Sequence, residues 1–180
     1  ATFRASAALG YDTARYAELG GLWLIRATDI EYVEPLPHGT QVEVTTRVAD
    51  LRRTHSVREY EFIDAETGQV AARAATDWVF VDDRSLAPTP VPDVMLAAFW
   101  PDGVPDPVAP RERLPRNEFR PPADATVHAA VARRDLDPMR HVNNAVYLDY
   151  VEDATAELCA AQGWSMERML DAGRRMVVRR

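Results

Sequence analysis

Alternation of apolar and polar residues dominates the first half of the chain and predicts β-strands. Residues 40–48 alternate most cleanly, with Val42, Val44 and Val48 separated by polar neighbours. The same pattern predicts further strands at residues 22–32, 58–63 and 69–81. Because the connections between these strands are short, we expect an antiparallel meander, in which each strand pairs with the next along the chain.

The alternation also predicts which strand residues share a face of the sheet. In the first strand it groups Trp23, Ile25 and Ala27. In the fourth strand it groups small and aromatic residues: Ala72, Ala74, Thr76, Trp78 and Phe80. One face of the predicted sheet is therefore expected to be largely apolar.

After residue 144 the apolar spacing becomes helical. Four apolar residues recur at that spacing within residues 145–162: Tyr147, Val151, Ala154 and Leu158. Gly163 stands where a helix commonly ends, and Ser165 is placed to cap a further short helix. Strands are expected at residues 125–133 and from residue 176 onward, and residues 1–9 resemble the end of another helix.

Proline divides the sequence into two parts. Ten of the 13 prolines lie between Pro88 and Pro122, and proline supplies no N–H donor to a sheet or a helix interior. We therefore expect a first domain over residues 1–83, a linker over 84–123 and a second domain over 124–180. One helical turn is expected within the linker, at residues 94–99.

An internal repeat relates the two parts. Aligned without a gap, residues 154–180 match residues 1–27 at eight of 27 positions, including both glycine pairs, Gly10 with Gly163 and Gly20 with Gly173. The pattern indicates a tandem duplication with a period near 153. Each copy would then be incomplete, so the sequence is expected to be truncated at both ends relative to a longer two-domain chain.

Composition excludes several classes of function. The 180 residues carry a net charge of −7, which disfavours a nucleic-acid surface. No apolar run is long enough to span a membrane, and Cys159 alone forms neither an internal disulfide nor a zinc site. Lysine is absent, which excludes a catalytic lysine. A reducing, cytoplasmic setting is expected.

Candidate chemistry concentrates in one stretch, residues 134–148. Two carboxylates, Asp135 and Asp137, and the imidazole of His141 precede the start of the predicted helix. A carboxylate can activate water or attack a carbonyl carbon, and a histidine can orient a substrate or move a proton. Free amides at the start of a helix can stabilise negative charge that develops on an oxygen.

This stretch resembles a known signature. The string Asp-Leu-Asp-Pro-Met-Arg-His-Val-Asn-Asn-Ala-Val-Tyr-Leu at residues 135–148, followed by Glu152, resembles that of hotdog-fold acyl thioesterases. Residues 29–44 resemble the second and third strands of that fold. With two copies joined by a linker, the chain is similar to the double-hotdog acyl-ACP thioesterases and their bacterial relatives. The resemblance implies an α+β hotdog fold, with an antiparallel sheet wrapped around a central helix, in tandem.

The resemblance also implies roles for individual residues. Asp137 matches the family's catalytic carboxylate, a general base or nucleophile, and His141 matches its active-site histidine. Asn143 and Asn144 match the pair that opens the helix: we place Asn143 with the catalytic residues and Asn144, with Tyr147, at the substrate. Taken alone, Asn144 is a candidate helix N-cap rather than a ligand contact, and Asp135 is a turn residue. No cofactor and no metal are expected.

The expected activity is hydrolysis of an acyl-CoA or acyl-ACP thioester to a fatty acid and a thiol. Two alternatives stay open: a hotdog acyl-thioester hydratase or dehydratase, and a module that only binds acyl chains or a protein partner. We expect a homodimer or paired hotdog units, because an isolated hotdog leaves a sheet edge uncovered. Neither nucleic acid nor membrane is expected as a partner.

Overall fold

The computed structural model describes residues 2–103, 126–137 and 140–176. The chain forms two compact units, one comprising Ala1–Glu112 with Val178–Arg180 and the other Arg113–Val177. In the first unit, helices α1 (Thr2–Ala8) and α2 (Thr13–Glu18) precede four strands, and helix α3 (Asp93–Phe99) follows them. The predicted helix end over residues 1–9 is confirmed, and α2 is an addition to the prediction.

The four strands are β1 (Gly21–Tyr32), β2 (Val42–Leu51), β3 (His55–Asp64) and β4 (Val70–Asp82). They form one antiparallel sheet in the order β1-β4-β3-β2, so the four strands predicted in the first part of the chain are confirmed. The predicted full meander is wrong for β1, which pairs with β4 instead of β2. The connection at residues 33–41 is long enough to carry the chain from one edge of the sheet to the other.

The strand register defines an inner face of the sheet. Phe80 of β4, 1% exposed, lies opposite Trp23 of β1, and their ring centroids are 5.1 Å apart. The core cluster there comprises five buried residues: Tyr11, Leu51, Phe80, Val91 and Met95. The β4 residues predicted to share a face follow Phe80 at alternate positions along this inner face.

A β-bulge corrects one predicted face. The β1–β4 register shifts between Ile25 and Ala27, so that Ile25 lies opposite Trp78 while Ala27 lies opposite Asp77. One extra residue in a strand reverses the alternation beyond it. Ala27 therefore leaves the face of Trp23 and Ile25, and Thr28 takes that place.

The first unit continues beyond residue 83, so the predicted linker begins too early. Helix α3 starts after Pro92, and its Met95 is fully buried in the core cluster. Tyr11 also donates a 2.8 Å hydrogen bond to the backbone oxygen of Val94. Proline excludes a central strand but is compatible with the start of a helix, so this part of the proline-rich stretch packs like the rest of the core.

In the second unit, a 3₁₀ turn (Arg133–Asp135) leads to helices α4 (Val146–Ala161) and α5 (Met166–Asp171). The predicted long helix is confirmed, and the Ser165 side chain caps α5 by accepting from the Arg168 N–H. The predicted strand at 125–133 is wrong for the described residues, since 126–132 belong to no strand. A strand needs a hydrogen-bonded neighbour, and no described residue pairs with this segment. The strand expected after Met176 falls outside the described residues.

The two ends of the predicted repeat adopt the same helical corner. The N–H of Tyr11 donates to the Ser6 oxygen at 3.0 Å, and the N–H of Trp164 donates to the Cys159 oxygen at 2.8 Å. Gly10 and Gly163 have φ of 83° and 77°. The matched helices α2 and α5 begin at equivalent caps, Asp12 and Ser165. Backbone geometry therefore agrees with the spacing of 153 found in the sequence.

No helix among the described residues is long and apolar enough to cross a bilayer.

The buried position of Met95 gives a test of the α3 packing. Met95→Ala removes a fully buried side chain and should lower the free energy of unfolding by about 2–5 kcal/mol. Val94→Ala on the same helix, where the side chain is 55% exposed, should change it by less than about 0.5 kcal/mol. Urea denaturation measures both, and equal effects would contradict the described packing.

Candidate active site

The described arms of this string, residues 135–137 and 140–143, are hydrogen-bonded to each other, and we call residues 135–143 the motif loop. Leu136 and Val142 form an antiparallel bridge. Inside it, the Asp137 N–H donates to the His141 oxygen at 2.8 Å. The Asn143 N–H donates to the Asp135 oxygen at 2.7 Å and closes the loop at its base. Asp137 and His141 are thereby held opposite one another.

The Asp137 carboxylate is fixed through one of its oxygens. Oδ1 accepts the backbone N–H of His141 at 3.0 Å, and Arg140 between them adopts φ of 63°, an uncommon conformation for a residue other than glycine. Within the described part of the chain, Oδ2 accepts no hydrogen bond. The half-buried carboxylate is therefore oriented on one side and available for a water molecule or a substrate on the other.

Asp135, two residues earlier, anchors the loop. Its side chain is buried, and Oδ2 accepts both the Ala132 N–H at 2.7 Å and the Tyr150 hydroxyl at 3.0 Å. Arg134 lies 3.7 Å from the other oxygen. The carboxylate thus ties the 3₁₀ turn to helix α4, which agrees with a structural role. No sequence motif points to Tyr150; its hydrogen bond to Asp135 identifies it as part of the framework that holds the loop.

Asn143 closes the turn that leads into α4. Its Oδ1 accepts the Ala145 N–H at 3.0 Å, and its backbone oxygen accepts the Val146 N–H at 2.9 Å. The alternative of Asn144 as N-cap is wrong, because Ala145 occupies the N-cap position and no side chain caps the helix there. Of the amides at 143–145, the Asn144 N–H alone has no partner within the described ranges, so it is the donor available to an oxyanion.

The remaining predicted residues are exposed. Tyr147 is 57% exposed on the first turn of α4, with its ring edge-on to that of Tyr150 at 6.2 Å. The His141 imidazole is exposed and makes no hydrogen bond to any described residue. The structure thus brings Asp137, His141 and Asn143 into one loop and places Asn144 and Tyr147 directly after it. Among the described residues, no group of three potential ligands is arranged for a metal ion.

The contact between Tyr150 and Asp135 predicts a shifted pKa for the Tyr150 hydroxyl. Desolvation, together with the hydrogen bond to the Asp135 carboxylate, raises the pKa of the Tyr150 hydroxyl above its ordinary value. Asp135→Asn removes the negative charge and should lower this pKa, whereas Asp149→Asn on the exposed side of the same turn should leave it in place. Phenolate absorbance, measured against Tyr150→Phe, reports the midpoint; equal midpoints in wild type and Asp135→Asn would contradict the described contact.

Comparison with known proteins connects this geometry to a family. Residues 1–99 match the model of the thioesterase-like superfamily, and residues 121–169 match that of the acyl-ACP thioesterase C-terminal domain. Among curated proteins, the chain is 26% identical over 168 residues to the chloroplastic acyl-acyl carrier protein hydrolase FATB2 of Cuphea viscosissima. It is 25% identical to a palmitoyl-acyl carrier protein thioesterase of Cuphea hookeriana. In both cases 87% of the chain aligns but spans 40% of the relative's length.

Solved structures confirm the predicted hotdog fold. A Lactobacillus plantarum protein assigned as an oleoyl thioesterase is 26% identical, with a TM-score of 0.68 over 86% of this chain and 59% of its own. The 12:0-ACP thioesterase of Umbellularia californica is 18% identical, with a TM-score of 0.64 over 87% of this chain and 64% of its own. Because the superfamily model covers more than half of the residues, the chain belongs to the thioesterase-like superfamily.

Proposed function

We propose that this protein is a thioesterase that hydrolyses acyl-ACP or acyl-CoA thioesters to a free fatty acid and a thiol. One observation carries the proposal: the string typical of acyl thioesterases holds Asp137 with one carboxylate oxygen bound and the other available. The match of residues 121–169 to an acyl-ACP thioesterase domain supports it. The curated relatives in Cuphea, named as acyl-acyl carrier protein hydrolases and thioesterases, point to the same substrate class.

Asp137 would act as a general base or as a nucleophile. As a base, its Oδ2 removes a proton from water while the water oxygen attacks the thioester carbon. The tetrahedral intermediate then collapses, the carbon–sulfur bond breaks, and the thiolate leaves and takes up a proton. As a nucleophile, Oδ2 forms a mixed anhydride that water hydrolyses in a second step. Both routes consume one water and give the same products.

Neighbouring groups would assist both routes. The Asn144 N–H, next to the start of α4, is positioned to donate to the oxygen of the tetrahedral intermediate, as an oxyanion-hole donor does. His141 would orient the substrate or return the proton to the departing thiolate. Asn143 would act by accepting the Ala145 N–H in the turn before α4, which fixes the direction of these amides. Tyr147 would contact the substrate from the first turn of α4.

Two further expectations accompany this function. The free Cys159 is consistent with a reducing compartment, which we take to be the cytoplasm. Exposed apolar side chains on α4, including Leu148 at 50% and Val151 at 58%, support pairing of hotdog units or a homodimer.

Asp137→Asn tests the assignment with little disturbance of the loop, because asparagine retains the Oδ1 that accepts the His141 N–H. We expect kcat for thiol release from acyl-CoA substrates to fall by about 10²–10⁴-fold, since the general base or nucleophile is lost. Asp171→Asn, a similar change at an exposed position of α5, should leave kcat unchanged. A colorimetric thiol assay over short to long acyl chains measures both.

Other outcomes separate the alternatives. Full activity in Asp137→Asn would contradict the assigned residue but retain the activity. Loss of enoyl absorbance without thiol release would indicate a hydratase. Saturable acyl binding without turnover on either acyl-CoA or acyl-ACP, unaffected by Asp137→Asn, would indicate a binding module.

A further inference from the structure

A single tyrosine joins the motif loop to the body of helix α4. The Tyr150 hydroxyl donates a 3.0 Å hydrogen bond to Oδ2 of the buried Asp135, in the first arm of the loop. The backbone hydrogen bonds that lead from the loop into the helix end at Val146, the first residue of α4. Among the described residues, the Tyr150 hydroxyl is therefore the tether that joins the loop to α4 beyond its first turn.

The orientation of the motif loop on α4 matters for the Asp137 carboxylate. Within the loop, hydrogen bonds of 2.8 and 3.0 Å relate Asp137 to His141. The Asn144 N–H lies outside the loop, at the start of the helix, so these bonds do not set its distance from the carboxylate. The loop meets the helix through Asn143, and one point of attachment does not fix the angle between two bodies. The Tyr150 hydroxyl supplies a second point, on which this distance depends.

The ring of Tyr150 makes a further contact, with Tyr147. The two rings lie edge-on, with centroids 6.2 Å apart and an interplanar angle of 74°, as residues three apart on a helix can. Tyr147 is 57% exposed, so this contact restricts a ring that otherwise faces solvent. The side chain that we expect at the substrate thus packs on the side chain that holds the loop.

We propose that Tyr150 is a positioning residue for thioester hydrolysis, and that its hydroxyl and its ring act separately. The hydroxyl holds the loop at the angle that brings Asp137 and the Asn144 N–H to the same thioester carbonyl. The ring holds Tyr147 toward the substrate. Because a displacement of about 1 Å can lower a rate by about 10²-fold, a residue that touches no substrate can still control kcat. The inference rests on the proposed thioesterase function and adds to it a residue that no sequence motif identifies.

Two substitutions separate the hydroxyl from the ring. Tyr150→Phe removes the hydroxyl and retains the ring, so we expect kcat for thiol release to fall roughly 10- to 100-fold. Its Kd for S-alkyl-coenzyme A, a thioether that cannot be hydrolysed, should stay unchanged in calorimetry. Tyr150→Leu also removes the ring, so Kd should rise roughly 3- to 10-fold as well. A merely destabilising substitution predicts no such separation of kcat from Kd.

A double-mutant cycle tests whether Tyr150 acts through Asp135. Asp135→Asn keeps an oxygen that can accept both the Tyr150 hydroxyl and the Ala132 N–H, so Tyr150→Phe should lower kcat in that variant about as much as in wild type. Asp135→Ala removes the acceptor, so Tyr150→Phe should add no further loss there. Tyr11→Phe is the matched control, because it removes a 2.8 Å tyrosine hydrogen bond in the first unit and should leave kcat unchanged.

Amide hydrogen exchange tests the tether without turnover. The Asn143 N–H closes the base of the motif loop and should exchange roughly 10-fold faster in Tyr150→Phe. This measurement needs only Tyr150→Phe, so it decides even where Asp135→Ala does not fold.

Unchanged exchange or unchanged kcat in Tyr150→Phe would overturn the inference. An equal loss of kcat in Tyr11→Phe, or a full further loss when Tyr150→Phe is added to Asp135→Ala, would also overturn it. Faster exchange in a protein that releases no thiol would support the Tyr150 tether while contradicting the thioesterase proposal.

Discussion

Strand β4 is hydrogen-bonded on both sides, and its double register determines what the inner face of the sheet presents. Phe80, Trp78 and Thr76 all face inward only because β4 keeps one alignment with β1 and a second with β3. A slip of one residue would bring Asp77 and Arg73 to the inner face in their place. The packed core and the small residues of the inner face therefore depend on the same ladder of hydrogen bonds.

The motif loop contains two aspartates, Asp135 and Asp137, whose carboxylates make different contacts. Asp135 is buried and both accepts a backbone amide and binds Tyr150, so its negative charge is used to hold the loop on the helix. Among the described residues, Asp137 is bound at one oxygen only, between arms that are already fixed. In the catalytic role that we propose for Asp137, this arrangement would orient the carboxylate and leave its other oxygen available to react. An anchoring aspartate and the proposed reactive one are thus only two residues apart.

Local pattern was sufficient to predict most secondary structure, and it failed where distant contacts decide. Alternation located all four strands, and helical spacing located α4. Alternation does not say which strand pairs with which, so it could not place β1 beside β4. It also could not predict the β-bulge that turns Ala27 to the other face. The expected strand at residues 125–133 shows the same limit. Its pattern favours extended backbone, but a strand also needs a hydrogen-bonded partner strand, which the pattern does not specify.

For the candidate site, the family resemblance identified the residues, and the structure showed which hydrogen bonds join them. Which of Asn143 and Asn144 accepts a backbone N–H in the turn before α4 depends on a shift of one residue, which a spacing argument does not resolve. Arg58 alternates in phase with Tyr60 and Phe62, so the pattern already predicts a charged residue on the inner face of the sheet.

The two helical corners share one backbone geometry while their side chains lie in different surroundings. Tyr11 is enclosed in apolar core, whereas Trp164, at the equivalent position, has the guanidinium groups of Arg168 and Arg174 at 4.8 and 5.2 Å from its ring centroid. Both corners have a left-handed glycine and a capping oxygen. A helix end of this kind is defined by its backbone, so the side chain after the glycine can serve an apolar core in one place and a cationic surface in the other.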